Sequence, residues 1–167
     1  MTERLTLILG GARSGKTRHA ESLIKALPAP WIYVATAEIW DEEMRERVER
    51  HKADRSEAGW ITVEAPVDLA TALQTEHPIL VDCLTLWVTN LMLGAHDIAA
   101  ATDRLEAALK ARKAPTILVA NEVGLGIVPD NKMARDFRDH AGRLHQRLAV
   151  QASKVILMVA GLPLTVK

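Results

Sequence analysis

Apolar residues along this chain gather in short runs set between longer polar stretches. Leu5-Thr6-Leu7-Ile8-Leu9, Trp31-Ile32-Tyr33-Val34-Ala35, Ile79-Leu80-Val81, Thr116-Ile117-Leu118-Val119-Ala120 and Val155-Ile156-Leu157-Met158-Val159 all have strand length. A strand with one wet face alternates apolar and polar; a continuous run marks a strand covered on both faces. A shorter strand is expected at Trp60-Ile61-Thr62-Val63. Between these runs the period lengthens. Ala134, Phe137, Ala141, Leu144 and Leu148 place one apolar stripe along a helix over Asn131–Ala152. Further helices are expected over Arg18–Ala26, over the highly charged Asp41–Arg55, and over the Ala-rich Ile98–Ala111. Strands alternating with helices predict an α/β fold, a mostly parallel sheet with helices on both faces.

In open sheets of this kind ligands sit at the carboxyl ends of the strands. That directs attention to Gly10–Thr17, Thr36–Ala37, Asp82–Thr85 and Asn121–Pro129. The first of these, Gly10-Gly11-Ala12-Arg13-Ser14-Gly15-Lys16-Thr17, fits the G-x-x-x-x-G-K-[ST] pattern of a phosphate loop, and it lies between an expected strand and an expected helix as the motif requires. The glycines let backbone N–H groups turn inward around phosphate oxygens. Lys16 brings a point charge to the β/γ-phosphates, and the Thr17 hydroxyl suits a Mg²⁺ ligand. The helix that follows adds partial positive charge at its N-terminus.

Three further segments carry candidate chemistry. Asp82 ends an apolar strand, the usual place for the acid that holds Mg²⁺ in a phosphate-loop site; the competing reading is a helix cap for the segment that starts near Cys83. Asn121-Glu122-Val123-Gly124-Leu125-Gly126-Ile127-Val128-Pro129 offers a carboxylate and an amide for substrate or metal. It reads equally well as a connecting loop with its glycines at positive φ. The charged stretch from Glu43 to Arg55 reads as a solvated helix face with His51 on it. The alternative is a nucleophile, because a neutral imidazole can attack phosphorus while Arg47, Lys52 and Arg55 neutralise a triphosphate. His19 and His140 are the competing histidines.

Composition narrows the partners. The 167 residues, 49% of them hydrophobic, fit one domain spanning 1–167. Lys plus Arg number 21 and Asp plus Glu number 21, so no basic excess exists to neutralise nucleic acid or an anionic membrane. A small-molecule substrate is favoured. With one cysteine, Cys83, no internal disulfide or cysteine metal cage can form, which fits a cytoplasmic protein. No apolar run has the length of a membrane span, and the N-terminal pattern is not that of a signal peptide.

Taken together, the phosphate loop, Asp41-Glu42-Glu43-Met44 running on to Arg47 and His51-Lys52, and Asn121-Glu122-Val123-Gly124 with Ile127-Val128-Pro129 and Phe137-Arg138-Asp139 resemble one family. It is the bifunctional adenosylcobinamide kinase / adenosylcobinamide-phosphate guanylyltransferase family of vitamin B12 biosynthesis. Asp82-Cys83-Leu84-Thr85, Asn90-Leu91 and Ala160-Gly161-Leu162-Pro163-Leu164 share the likeness, which covers nearly the whole chain. The resemblance implies a RecA-like P-loop NTPase sheet and a homotrimer. It implies phosphorylation of adenosylcobinamide by ATP or GTP with Mg²⁺ at Thr17 and Asp82. It also implies transfer of GMP from GTP through a covalent histidine, which maps onto His51. The family's nucleotide contacts map onto Gly10–Thr17, Ala35-Thr36-Ala37, Lys52-Ala53-Asp54-Arg55, Glu64 and Asp82. The alternatives are a plain phosphate-loop kinase in which His51 is structural, and a RecA-like assembly module without catalysis. Neutral charge weighs against DNA as the partner of the latter.

Overall fold

The computed structural model describes residues 3–38, 42, 45–46, 49 and 59–167. The expected helix over Asp41–Arg55 falls for most of its length outside the described residues. So do His51, Lys52, Ala53, Asp54 and Arg55.

Seven strands form one sheet. They are β1 (Leu5–Gly10), β2 (Trp31–Ala35), β3 (Trp60–Glu64), β4 (Ile79–Asp82), β5 (Thr116–Asn121), β6 (Lys154–Val159) and β7 (Leu162–Thr165), in the spatial order β3-β2-β4-β5-β1-β6-β7. The first six are parallel and β7 closes the edge antiparallel to β6. Five helices accompany them among the described residues: α1 (Lys16–Lys25), α2 (Leu69–Ala72), α3 (Leu84–Leu93), α4 (Ile98–Ala111) and α5 (Lys132–Gln151).

Both sheet faces are covered, and for that reason the strands read as unbroken apolar runs. On one face Leu7, Val34, Val81 and Leu118 pack with Trp87 and Leu91 of α3, Leu105 of α4 and Leu144 and Leu148 of α5. On the other, Ile8, Leu80, Ile117 and Val119 pack with Ala20 and Ile24 of α1. The register sets the carboxyl ends level. Gly10 pairs with Asn121, and Ala35 pairs with both Asp82 and Glu64.

The helix starts differ in a way that bears on function. Asp68, Asp97 and Asn131 accept from the backbone N–H groups of Thr71, Ala100 and Ala134, capping α2, α4 and α5. Helix α1 begins at Lys16, after Gly15, with no side-chain cap, so its first N–H groups remain for a ligand.

Candidate active site

The phosphate loop runs from the end of β1 into α1. Two glycines are dictated by geometry. A Cβ at Gly10 would stand 2.6 Å from Ser14 Oγ and 2.7 Å from the Met158 carbonyl. Gly15 has φ 92°, a left-handed conformation that favours glycine. The Ser14 N–H donates to the Gly11 carbonyl at 3.3 Å, closing the turn. Lys16 is buried at 7% exposure, and its Nζ donates to the Gly11 carbonyl at 2.5 Å and to Ser14 Oγ at 3.4 Å. Burial pushes its pKa below the ordinary lysine value, and the nearby Asp82 carboxylate opposes that.

Thr17 and Asp82 meet. The Thr17 hydroxyl donates to Asp82 Oδ2 at 2.8 Å, across the gap between α1 and the end of β4. The Tyr33 hydroxyl donates to the same oxygen at 2.9 Å. Asp82 is therefore not the cap of α3. The residue before that helix is Cys83, which makes no side-chain cap bond, and the Asp82 carboxylate turns to the phosphate loop instead. Among the described residues no cluster of three His, Cys, Asp or Glu side chains could hold a metal ion. One hydroxyl and one carboxylate, both hard oxygen donors beside a phosphate loop, do fit Mg²⁺, which keeps its waters and takes further ligands from phosphates.

Thr36 is fully buried, and its side chain bonds Cys83. Its Oγ1 donates to the Cys83 carbonyl at 2.7 Å and accepts the Cys83 N–H at 2.9 Å. Its own carbonyl takes the Asn90 amide at 2.7 Å, and the same amide donates to the Pro66 carbonyl at 2.9 Å. The loops after β2, β3 and β4 are thus fastened to one another around Asp82. Ala35 and Glu64 stand at the carboxyl ends of β2 and β3, with Ala37 just beyond.

The loop after β5 is anchored at its base. The Glu122 N–H donates to the Gly10 carbonyl at 2.9 Å, and the Asn121 N–H donates to Thr85 Oγ1 at 2.7 Å. Glu122 Oε1 accepts the N–H of Gly124, so this carboxylate turns back on its own loop. Gly124 and Gly126 are not at positive φ, contrary to the connecting-loop expectation. Leu125, Ile127 and Val128 are exposed.

Sequence reasoning missed Tyr33, Asn90 in its fastening role, and His145. Tyr33 is a hydroxyl hidden in an apolar strand, two residues before the Ala35–Asp82 pair. His145, in α5, is buried, and its Nε2 has no hydrogen-bond partner among the described residues. Burial lowers its pKa, and Glu122 opposes this. The pKa of His19 is lowered by burial and then by Lys154.

Known proteins resemble this chain in sequence and in fold. The family model described as cobinamide kinase / cobinamide phosphate guanyltransferase matches residues 6–166. The bifunctional adenosylcobalamin biosynthesis protein CobU of Salmonella typhimurium is 43% identical, over 98% of this chain and 99% of its own. The bifunctional adenosylcobalamin biosynthesis protein CobP of Pseudomonas aeruginosa is 44% identical over 96% of each chain. Among solved structures, the flagellar accessory protein FlaH from Methanocaldococcus jannaschii superposes with a TM-score of 0.56 at 13% identity, covering 98% of this chain and 78% of that one. This last likeness concerns the fold alone.

Proposed function

The chain belongs to the cobinamide kinase / cobinamide phosphate guanyltransferase family, and on that premise we propose how its residues divide the two reactions. It is a bifunctional nucleotide-using enzyme of adenosylcobalamin biosynthesis, with cobinamide as its small-molecule substrate. The observation that supports the phosphoryl-transfer site is the contact between Thr17 and Asp82 beside the buried Lys16.

In the first reaction the cobinamide hydroxyl oxygen attacks the γ-phosphorus of ATP or GTP. The bond to the β–γ bridging oxygen breaks, the nucleoside diphosphate leaves, and the hydroxyl proton passes to solvent. Uncapped N–H groups at the start of α1 and the Lys16 ammonium neutralise the charge on the transferring group. When bound, Mg²⁺ would supply further neutralisation of the phosphate charge. Thr17 and Asp82 would hold it. Tyr33 and Thr36 act by fixing Asp82 and the chain beside it.

In the second reaction a nitrogen of neutral His51 attacks the α-phosphorus of GTP and pyrophosphate leaves. An oxygen of cobinamide phosphate then attacks the phosphorus, the P–N bond breaks, and GMP passes to the substrate. Ala35, Ala37, Glu64 and Lys52-Ala53-Asp54-Arg55 contact the guanine nucleotide, and Arg47, Lys52 and Arg55 meet the triphosphate or leaving pyrophosphate. Support for this step is the family relationship and the reference pKa of imidazole, about 6.5, which keeps the neutral form abundant near pH 7.

The test is incubation with GTP labelled at the α-phosphate, followed by denaturation. Acid-labile label on the chain is expected, and His51→Ala abolishes it while phosphorylation of cobinamide persists. Label retained by His51→Ala would move the nucleophile, with His19 next. The enzyme works as a cytoplasmic homotrimer, which brings charged surfaces of neighbouring copies to each site. Light scattering of a fully active monomer near 18 kDa would remove the trimer.

A further inference from the structure

The turn between β6 and β7 belongs to the phosphate loop's surroundings and has no part in the chemistry above. The Gly161 N–H donates to the Ser14 carbonyl at 3.0 Å. Ala160 and Gly161 both have positive φ, 52° and 80°. A cavity of about 570 Å³ opens between this turn and the segment Arg13–Arg18. Its floor is bare backbone: a Cβ at Gly15 would lie 3.4 Å from the Gly161 Cα. Beside that floor lies the exposed guanidinium of Arg18. Its Nη2 is 3.7 Å from where a Gly161 Cβ would stand and 4.0 Å from where a Gly15 Cβ would stand. Among the described residues Arg18 has no carboxylate partner.

A triphosphate whose terminal phosphates sit at Lys16 has two directions in which to extend. Toward Glu64 it must cross from β1 to β3, four strand intervals, or roughly 19 Å at the usual spacing. Toward β6, the neighbour of β1 on the other side, the distance is roughly 5 Å. A nucleotide read by Glu64 and a nucleotide lying over the β6–β7 turn therefore point opposite ways along the sheet edge.

We propose that the cavity between Arg18 and the Ala160–Gly161 turn receives the purine nucleoside of the phosphate donor in the phosphorylation step. The guanidinium of Arg18 stacks on the base, and the side-chain-free floor of Gly15 and Gly161 lets the ribose approach. The GTP that guanylylates the protein lies on the Glu64 side instead. The two reactions share Lys16 and Thr17 but hold their nucleosides on opposite flanks. This assignment rests on the two-step reading above.

Arg18→Ala and Arg18→Lys test it in the full-length protein; the side chain is exposed, so neither change disturbs the core. The KM for ATP is measured in phosphorylation of cobinamide, and the KM for GTP in covalent labelling. Arg18→Ala raises the KM for ATP about tenfold with kcat changed less than threefold, as loss of a stacked base contact does. The KM for labelling moves less than twofold. Arg18→Lys, which keeps the charge and loses the plane, recovers less than half of the effect. An unchanged KM for ATP, equal shifts in both KM values, or full rescue by lysine overturns the assignment. If the unmutated protein takes no label, the covalent reading fails by itself and the KM for ATP alone decides this one.

Discussion

Two cations lie almost equally buried at opposite ends of the sheet and meet quite different surroundings. Lys16 at the carboxyl ends and Arg112 at the amino ends are each 7% exposed, and burial lowers the pKa of both. Arg112 donates to the carbonyls of Leu73 at 2.7 Å, Thr75 at 2.5 Å and His77 at 2.7 Å, and to Thr116 Oγ1 at 2.9 Å. Its fork ties the segment before β4 to the start of β5 with partners that cannot leave. Lys16 has one loop carbonyl and one distant hydroxyl, both poorer partners than a phosphate oxygen. A buried charge surrounded by fixed dipoles is a tie; a buried charge with two weak, replaceable partners is left free to meet a ligand.

The contrast can be broken by exchange of outcomes. Lys16→Ala should lower the turnover of cobinamide phosphorylation by about three powers of ten. Its melting temperature should change little, because the lost side chain had few fixed partners. Near-normal turnover would remove Lys16 from the chemistry. Arg112→Ala should do the reverse. It strands the carbonyls of Thr75 and His77, at about 1–3 kcal/mol for each group left unsatisfied, while the Leu73 carbonyl keeps the Thr75 N–H and the Thr116 hydroxyl keeps the Ala114 carbonyl. Partial access of water holds the total to about 3–5 kcal/mol, or roughly 10 °C in melting temperature for a domain of this size. Turnover per folded molecule should stay within about twofold; a kinetic defect without a stability defect would erase the distinction.

A third buried base sharpens it. His145 has no partner at Nε2 among the described residues, and burial lowers its pKa. Its folded pKa lies below the unfolded value of about 6.5, so the unfolded chain binds more protons in the window just below that pH. Stability is complete above about pH 6.5 and falls as the solution is acidified, with His19 adding in the same direction. Melting curves from pH 8 to pH 5 should be less steep in their pH dependence for His145→Leu. Identical slopes would show that His145 does not titrate on unfolding. This is the smallest of the three effects.

The parts legible in the sequence are those where one local pattern decides. Leu5–Leu9 followed by the Gly10–Thr17 motif announces β1, the loop and α1 together, although α1 starts at Lys16 rather than Arg18. Asn131 to Ala152 shows its period, and Ile98–Ala111 is found with the bounds expected. Helix α3 is legible only as a segment starting near Cys83, and its extent is hidden because Leu84, Leu86, Trp87, Val88, Leu91 and Leu93 surround it with apolar side chains and leave no stripe. Strand β7 was illegible because it is exposed at all four residues and carries Pro163, which only an edge tolerates. Within the site, Lys16, Thr17 and Asp82 were legible by type and place. Tyr33 and Asn90 were not, since their partners are set by the register of β2 against β4 and by the packing of α3 beneath three loops.

The neighbours of β1 are β5 and β6, and the turn after β6 bonds Ser14, so the earliest strand of the chain is enclosed by some of the latest. During translation this imposes an order. The phosphate loop leaves the ribosome well before residues 154–161, and its bed is complete only when those have emerged. At roughly 5–20 residues per second that delay is on the order of ten seconds. A chain made only as far as β5 therefore lacks both the β6 edge beside β1 and the Gly161 N–H that holds Ser14 of the phosphate loop.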